Sequence, residues 1–97
     1  MNKILTLAFM FLAMPVFSYA QAWANTTRYA QENKKVTVKP KAVFMGDSIT
    51  QCWPDSDPAF FTYNNFLCRG ISGQTTAHML CRFRKDVLDL DPEYVVI

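Results

Sequence analysis

The stretch KAVFMGDSITQCW, Lys41 to Trp53, decides the fold of this chain. Its apolar run, Ala42–Met45, ends at Gly46, and the polar pair Asp47-Ser48 follows at once. A short apolar run that stops at a glycine is typical of a buried β-strand. The sequence therefore predicts a strand over Ala42–Met45, followed by a sharp turn that presents the hydroxyl of Ser48.

Downstream of this turn, strand-like and helix-like segments alternate. The pattern predicts a second strand over Asn65–Cys68, a helix over Thr75–Leu90, and a third strand over Tyr94–Ile97 that is buried on both faces. Apolar residues at three- and four-residue steps form one face of the helix: Ala77, Leu80, Phe83, Val87 and Leu90. Arg82 and Asp86 are expected mostly off that face. Such alternation predicts an α/β fold with a parallel sheet.

The N-terminal residues have the pattern of a secretory signal peptide. Lys3 precedes fourteen uncharged and mostly apolar residues, Ile4–Phe17, and an A-x-A site follows. Because spanning a bilayer takes about 20 apolar residues, we expect cleavage rather than a stable membrane anchor. The sequence thus predicts a signal peptide over residues 1–24, a linker over residues 25–40 and one domain over residues 41–97. The mature protein is expected to be periplasmic or secreted.

Charge and cysteine content narrow the classes of partner. The net charge is +2, with ten Lys and Arg against eight Asp and Glu, which gives no reason to expect nucleic acid. The three cysteines, Cys52, Cys68 and Cys81, include no C-x-x-C pair, so a zinc site is not expected. Export permits disulfides, and the odd count leaves at least one thiol free. We expect buried free cysteines, with one bridge as the alternative, Cys68 pairing with Cys52.

Two loops are expected to open at the same edge of the sheet. Gly46-Asp47-Ser48 follows the first strand, and Gly70-Ile71-Ser72-Gly73 follows the second. In open parallel sheets, sites form at the carboxyl ends of strands. A serine on such a turn is a candidate nucleophile, and a glycine N–H is a candidate oxyanion donor. The alternative is structural: Ser48 to Gln51 matches the S-x-x-Q capping box, and Gly73 serves as a loop turn.

These segments resemble the GDSL, or SGNH, hydrolase family. Four blocks carry the resemblance and occur in the order VFMGDSIT, RGISGQTT, HMLCRFRKDV and PEYVVI. They are most similar to secreted bacterial acylhydrolases and to the catalytic subunits of platelet-activating-factor acetylhydrolase. The resemblance covers residues 41–97. It implies a three-layer α/β/α fold like that of flavodoxin, with a parallel sheet, of which this chain carries the N-terminal portion.

The resemblance also implies roles for individual residues. Ser48 would be the nucleophile and would contribute its own N–H to the oxyanion hole. Gly73 would give the second N–H, and Asp47 would brace the turn. The reaction implied is hydrolysis of a small-molecule or glycan ester, with no cofactor and no metal.

Two parts of the family's site do not occur in these residues. The asparagine of the G-x-N-D motif is expected just after the strand that contains Ile97, and the Asp-x-x-His pair is expected further on. His78 does not match that pair because Thr75 stands three residues before it. Since a serine without a base is a poor nucleophile, we expect the 97 residues alone to be inactive and the complete protein to hydrolyse esters. The alternative is a pseudoenzyme that binds acylated carbohydrate or lipid without turnover.

Overall fold

A computed structural model describes residues 22–97, in which three parallel strands carry helices on both faces. Residues 1–21, and with them most of the predicted signal peptide, lie outside the described residues. The elements in chain order are α1 (Ala30–Lys34), β1 (Ala42–Gly46), α2 (Ser48–Ser56), α3 (Pro58–Asn64), β2 (Phe66–Gly70), α4 (Thr76–Asp86), a 3-10 turn (Leu88–Leu90) and β3 (Tyr94–Val96). Within residues 22–97, no helix is long and apolar enough to cross a membrane.

The sheet has the order β2-β1-β3, so the strand that contains the quoted apolar run is central. Successive side chains of β1 point to opposite faces and enter two separate hydrophobic clusters. The cluster between the sheet and α4 contains Val43, Met45, Val87 and Leu90. The cluster between the sheet and α3 contains Ala42, Phe44 and Phe61. The predicted layering, with helices on both faces of a parallel sheet, is confirmed.

The predicted apolar face of the long helix is confirmed at Phe83, Val87 and Leu90 and is wrong at its N-terminal end. Leu80 is 77% exposed, whereas Arg82 and Asp86, expected mostly off the apolar face, are 0% exposed. The inward stripe follows four-residue steps, through Met79, Phe83 and Val87 and through Arg82, Asp86 and Leu90. Opposite charges four residues apart lie side by side on a helix, so the two ions can enter the interior as a pair. The helix ends at Asp86, and the 3-10 turn completes the segment predicted as helical.

The third strand is not buried on both faces as predicted. β3 pairs in parallel with β1, but Tyr94, Val95 and Val96 are all exposed. β3 forms one edge of the described sheet. An apolar run identifies a strand without saying which elements cover its faces.

Residues 25–40, predicted as a linker, contain the short helix α1 and pack on the domain. Tyr29 is buried and donates its hydroxyl proton to the carbonyl oxygen of Gly70, at the end of β2. Asn33 Nδ2 donates to Asp86 Oδ1 of α4 at 2.8 Å. This segment therefore braces the end of one strand and the end of one helix.

Candidate active site

The ends of β1 and β2 lie side by side and bring the two predicted loops together. In the parallel register, Gly46 is the partner of Gly70. A Cβ on Gly46 would lie 2.1 Å from Thr50 Oγ1, and one on Gly70 would lie 2.4 Å from the backbone nitrogen of Gln51. Both distances are too short for real atoms, so only glycines let the first turn of α2 pack directly on the strand ends. The predicted juxtaposition of the loops at one sheet edge is confirmed.

Ser48 is the first residue of α2 and is partly exposed. Asp47 caps this helix, because its Oδ1 accepts a hydrogen bond from the N–H of Ile49 at 3.0 Å. The predicted capping box is therefore wrong: Asp47 takes the place of Ser48, and the side chain of Gln51 bonds to Ser72 instead. Among residues 22–97, neither the hydroxyl nor the N–H of Ser48 has a hydrogen-bond partner. Both groups are thus free to interact with a ligand.

The second loop is a closed turn with a glycine at its third position. The N–H of Ile71 donates to the carbonyl of Gly46 at 3.0 Å, and the N–H of Gln74 donates to the carbonyl of Ile71 at 3.2 Å. Gly73 has a φ of +78°, the left-handed conformation that a type II turn requires at this position. Its N–H finds no acceptor within the described part of the chain, and a Cβ at this position would meet no atom within 4 Å. The loop therefore presents an unpaired donor beside the turn that carries Ser48.

A buried polar network anchors this loop to α4 and to the N-terminal segment. Arg82 Nε donates to Gln74 Oε1 at 2.6 Å, and Arg82 Nη1 donates to Asp86 Oδ2 at 3.1 Å. Gln74 Nε2 in turn donates to the carbonyl of Ala24, and Asn33 donates to the second carboxylate oxygen of Asp86. All polar groups in this chain of contacts are paired, which is the condition for burying them. The residue that follows Gly73 is therefore fixed from two directions.

Burial shifts the pKa values of two side chains at β2, those of Tyr29 and Arg69. Burial, and after it the nearby thiol of Cys68, raises the pKa of Tyr29 to about 12. Burial also lowers the pKa of Arg69, whose Nε donates to Asn33 Oδ1 at 2.9 Å. Tyr29 thus stays protonated at neutral pH and donates to a strand carbonyl, so it is not a general base.

The single histidine of the chain is used at the start of α4. His78 Nδ1 accepts a hydrogen bond from the backbone N–H of Thr75 at 3.0 Å. Its ring also packs against Trp23, with 4.0 Å between the ring centroids. These contacts assign His78 to the capping of a helix, in agreement with its missing partner in the sequence pattern.

All three cysteines are free in the structure, so the alternative with a bridge between Cys68 and Cys52 is not formed. Cys68 donates its thiol proton to the carbonyl of Thr50 at 3.1 Å, a contact that links β2 to α2. Cys52 and Cys81 are exposed, and their predicted burial is wrong.

Sequence reasoning missed the side chains that fix the two loops. The S-x-x-Q pattern predicts a local capping box for Gln51, whereas its side chain binds a residue of the second loop, Ser72. The pattern of α4 predicts Arg82 and Asp86 mostly off the apolar face, whereas both are buried. Their spacing of four residues, about one helical turn, allows the two ions to pair but does not distinguish a buried pair from an exposed one.

Two solved structures from Bacteroides resemble this chain. One, from Bacteroides fragilis NCTC 9343, is named "putative acylhydrolase"; it is 49% identical, with a TM-score of 0.70, over 75% of this chain and 37% of its own. The other, from Bacteroides thetaiotaomicron VPI-5482, is named a GDSL-like lipase; it is 47% identical, with a TM-score of 0.68, over 74% of this chain and 37% of its own. The chain thus spans little more than a third of the length of either protein. A scan against protein-family models gives no match, and a search of curated proteins gives no significant one.

Proposed function

Because the chain belongs to the GDSL/SGNH hydrolase family, we propose that it is the N-terminal part of a serine ester hydrolase in which Ser48 is the nucleophile. The observation that carries the proposal is the pairing of Gly46 with Gly70, which puts the Ser48 turn beside the Gly73 turn. We refer to the longer polypeptide of which these residues would be the first part as the full-length protein.

In the proposed reaction, Ser48 Oγ attacks the carbonyl carbon of an ester. The electron pair of the C=O bond moves to oxygen, and the N–H groups of Ser48 and Gly73 donate to this oxyanion. Collapse of the tetrahedral intermediate breaks the bond to the alkoxide oxygen, which takes up the proton that the general base removed from Ser48, and leaves an acyl group on Ser48. Water, deprotonated by the same base, then releases the acid and restores the hydroxyl of Ser48. The absence of acceptors for both N–H groups among residues 22–97 supports this role. Asp47, by capping α2, keeps the nucleophile on the turn.

The general base of this reaction would come from residues beyond the 97 of this chain. Its one histidine, His78, already accepts from Thr75 and stacks on Trp23. Serine has little nucleophilicity at neutral pH without a base to take its proton. We therefore predict that the 97-residue chain alone does not turn over esters.

We further propose that the enzyme acts outside the cytoplasm on acyl esters of small molecules or glycans. The signal-peptide pattern of Lys3 and Ile4–Phe17 supports export, with no membrane anchor after cleavage. The names of the two similar structures, an acylhydrolase and a lipase, support ester substrates. No cofactor takes part in the proposed reaction.

Hydrolysis of p-nitrophenyl acetate by four proteins tests the proposal: the full-length protein, its Ser48→Ala and Ser56→Ala variants, and the 97-residue chain. Ser56 is an exposed serine at the other end of α2, so its variant makes the same chemical change away from the site. We expect activity in the wild type and in Ser56→Ala only, with a loss of at least about 1000-fold in Ser48→Ala. Undiminished activity of Ser48→Ala would exclude Ser48 as the nucleophile. A wild type that binds an acylated glycan without turnover would favour the pseudoenzyme.

A further inference from the structure

We propose that Gln51 is a positioning residue of the oxyanion hole, which acts by holding Ser72 and so orienting the N–H of its neighbour Gly73. Gln51 Oε1 accepts a hydrogen bond from the backbone N–H of Ser72 at 2.6 Å, at the short end of the range for such bonds. This inference rests on the proposed function, since it concerns the donor that Gly73 would give to the reaction.

Gln51 is suited to this role because it is attached to the turn that carries the nucleophile. It lies three residues after Ser48 in α2, and its own N–H donates to the carbonyl of Asp47 at 2.9 Å. The same residue thus bonds through its backbone to the first turn and through its side chain to the second loop. One residue therefore connects the two segments that carry the proposed oxyanion donors.

The two flanks of Gly73 are fixed by different glutamines. On the C-terminal side, Gln74 is buried and bonded to Arg82 and to the carbonyl of Ala24. On the N-terminal side, the bond from Gln51 to Ser72 is the contact that reaches the residue next to Gly73. A Cβ on Gly73 would meet no atom within 4 Å, so no packing on that side of the residue holds it in place. Without the Gln51 bond, the nearest hydrogen bond to another segment on the N-terminal side of Gly73 would be the one from the N–H of Ile71 to the carbonyl of Gly46.

The expected effect lies in the transition state. Removing an oxyanion donor outright lowers kcat by about 100- to 1000-fold, and a misplacement of about 1 Å costs up to about 100-fold. Since Gln51→Met keeps the Gly73 donor and only loosens its position, we expect kcat to fall by about 5- to 50-fold. KM should change by less than about twofold, because the ground-state ester carbonyl carries little of the charge that the donor stabilises.

The test uses the full-length protein with p-nitrophenyl acetate and compares Gln51→Met with Gln31→Met. Methionine keeps the length of the side chain and removes the acceptor, and Gln31 is an exposed glutamine of α1, which makes it a matched control. We expect a lowered kcat only in Gln51→Met, with melting temperatures of the two variants within a few degrees. A kcat for Gln51→Met within twofold of the control, or a loss confined to KM, would overturn the positioning role.

A second variant removes the same bond from its other end. Ser72→Pro deletes the N–H that Gln51 accepts, and proline is compatible with the second position of a β-turn, which Ser72 occupies. If the bond transmits the effect, Gln51→Met should lower kcat in the Ser72 background and leave it within twofold in the Ser72→Pro background. Equal losses in both backgrounds would overturn the proposal. An inactive wild type would refute the proposed function, and with it the role of Gln51. An active wild type with an unchanged kcat in Gln51→Met would refute the role of Gln51 alone.

Discussion

Asp86→Ala should destabilise the full-length protein far more than an ordinary surface substitution. Arg82 and Asp86 are both 0% exposed and their charged atoms are 3.1 Å apart. Without the carboxylate, the guanidinium stays buried with its charge uncompensated, which costs about 3–5 kcal/mol. Asn33 also loses the oxygen to which it donates. With a urea m-value of about 2 kcal/mol per molar, a loss of about 4 kcal/mol lowers the unfolding midpoint by about 2 M urea.

A second ion pair of the chain provides the control for this measurement. Lys41 Nζ and Glu93 Oε2 are also 3.1 Å apart, but their side chains are 51% and 49% exposed. Exposed pairs contribute up to about 1 kcal/mol, so Glu93→Ala should lower the midpoint by less than about 0.5 M urea. Adding Arg82→Met to Asp86→Ala removes the orphaned charge and should restore part of the loss. Equal midpoint shifts for Asp86→Ala and Glu93→Ala, or a double variant less stable than Asp86→Ala, would refute burial as the cause.

Three further substitutions probe the strand ends in the same urea assay. Gly70→Ala should lower the free energy of unfolding by about 1–3 kcal/mol, since its Cβ would lie 2.4 Å from the Gln51 nitrogen. Gly73→Ala has no such clash and should cost about 1–2 kcal/mol for its φ of +78°; a loss above about 3 kcal/mol would contradict the open space at its Cβ position. The folded-state pKa of Tyr29 is raised from 10.0 to about 12, so its stabilisation is complete below pH 10 and is lost as the pH rises through 12. Tyr29→Phe should weaken this alkaline loss, and an unchanged pH profile would exclude Tyr29 as its source.

Much of the fold is predictable because the sequence on either side of the central strand marks where that strand ends. The apolar run before Gly46 and the polar pair after it identify β1 and its turn. Gly70 in the same way identifies the end of β2. The two loops meet at one edge because parallel strands end on the same side of a sheet. The placement of Ser48 beside the Gly73 loop therefore follows from the order of the elements.

The rotation of α4 is not predictable from hydrophobicity, because a pattern of apolar residues places charged side chains on the exposed face. Burial of Arg82 and Asp86 depends on partners outside α4, namely Gln74 and Asn33. Leu80 is exposed as a consequence of the same rotation. The predicted capping box of α2 is wrong for a similar reason. The side chain of Gln51 binds Ser72 of the second loop instead of the start of its own helix. Contacts between segments decide such cases, and a one-dimensional pattern does not contain them.

Covalent labelling of the full-length protein with a fluorophosphonate tests the central claim most directly. The probe reacts with activated serines, and peptide mapping by mass spectrometry identifies the residue that carries the adduct. We predict a single adduct on the peptide that contains Ser48, absent from Ser48→Ala and retained in Ser56→Ala. Ester hydrolysis by a protein whose adduct lies on another serine, or that forms no adduct, would contradict the assignment of Ser48 as the nucleophile.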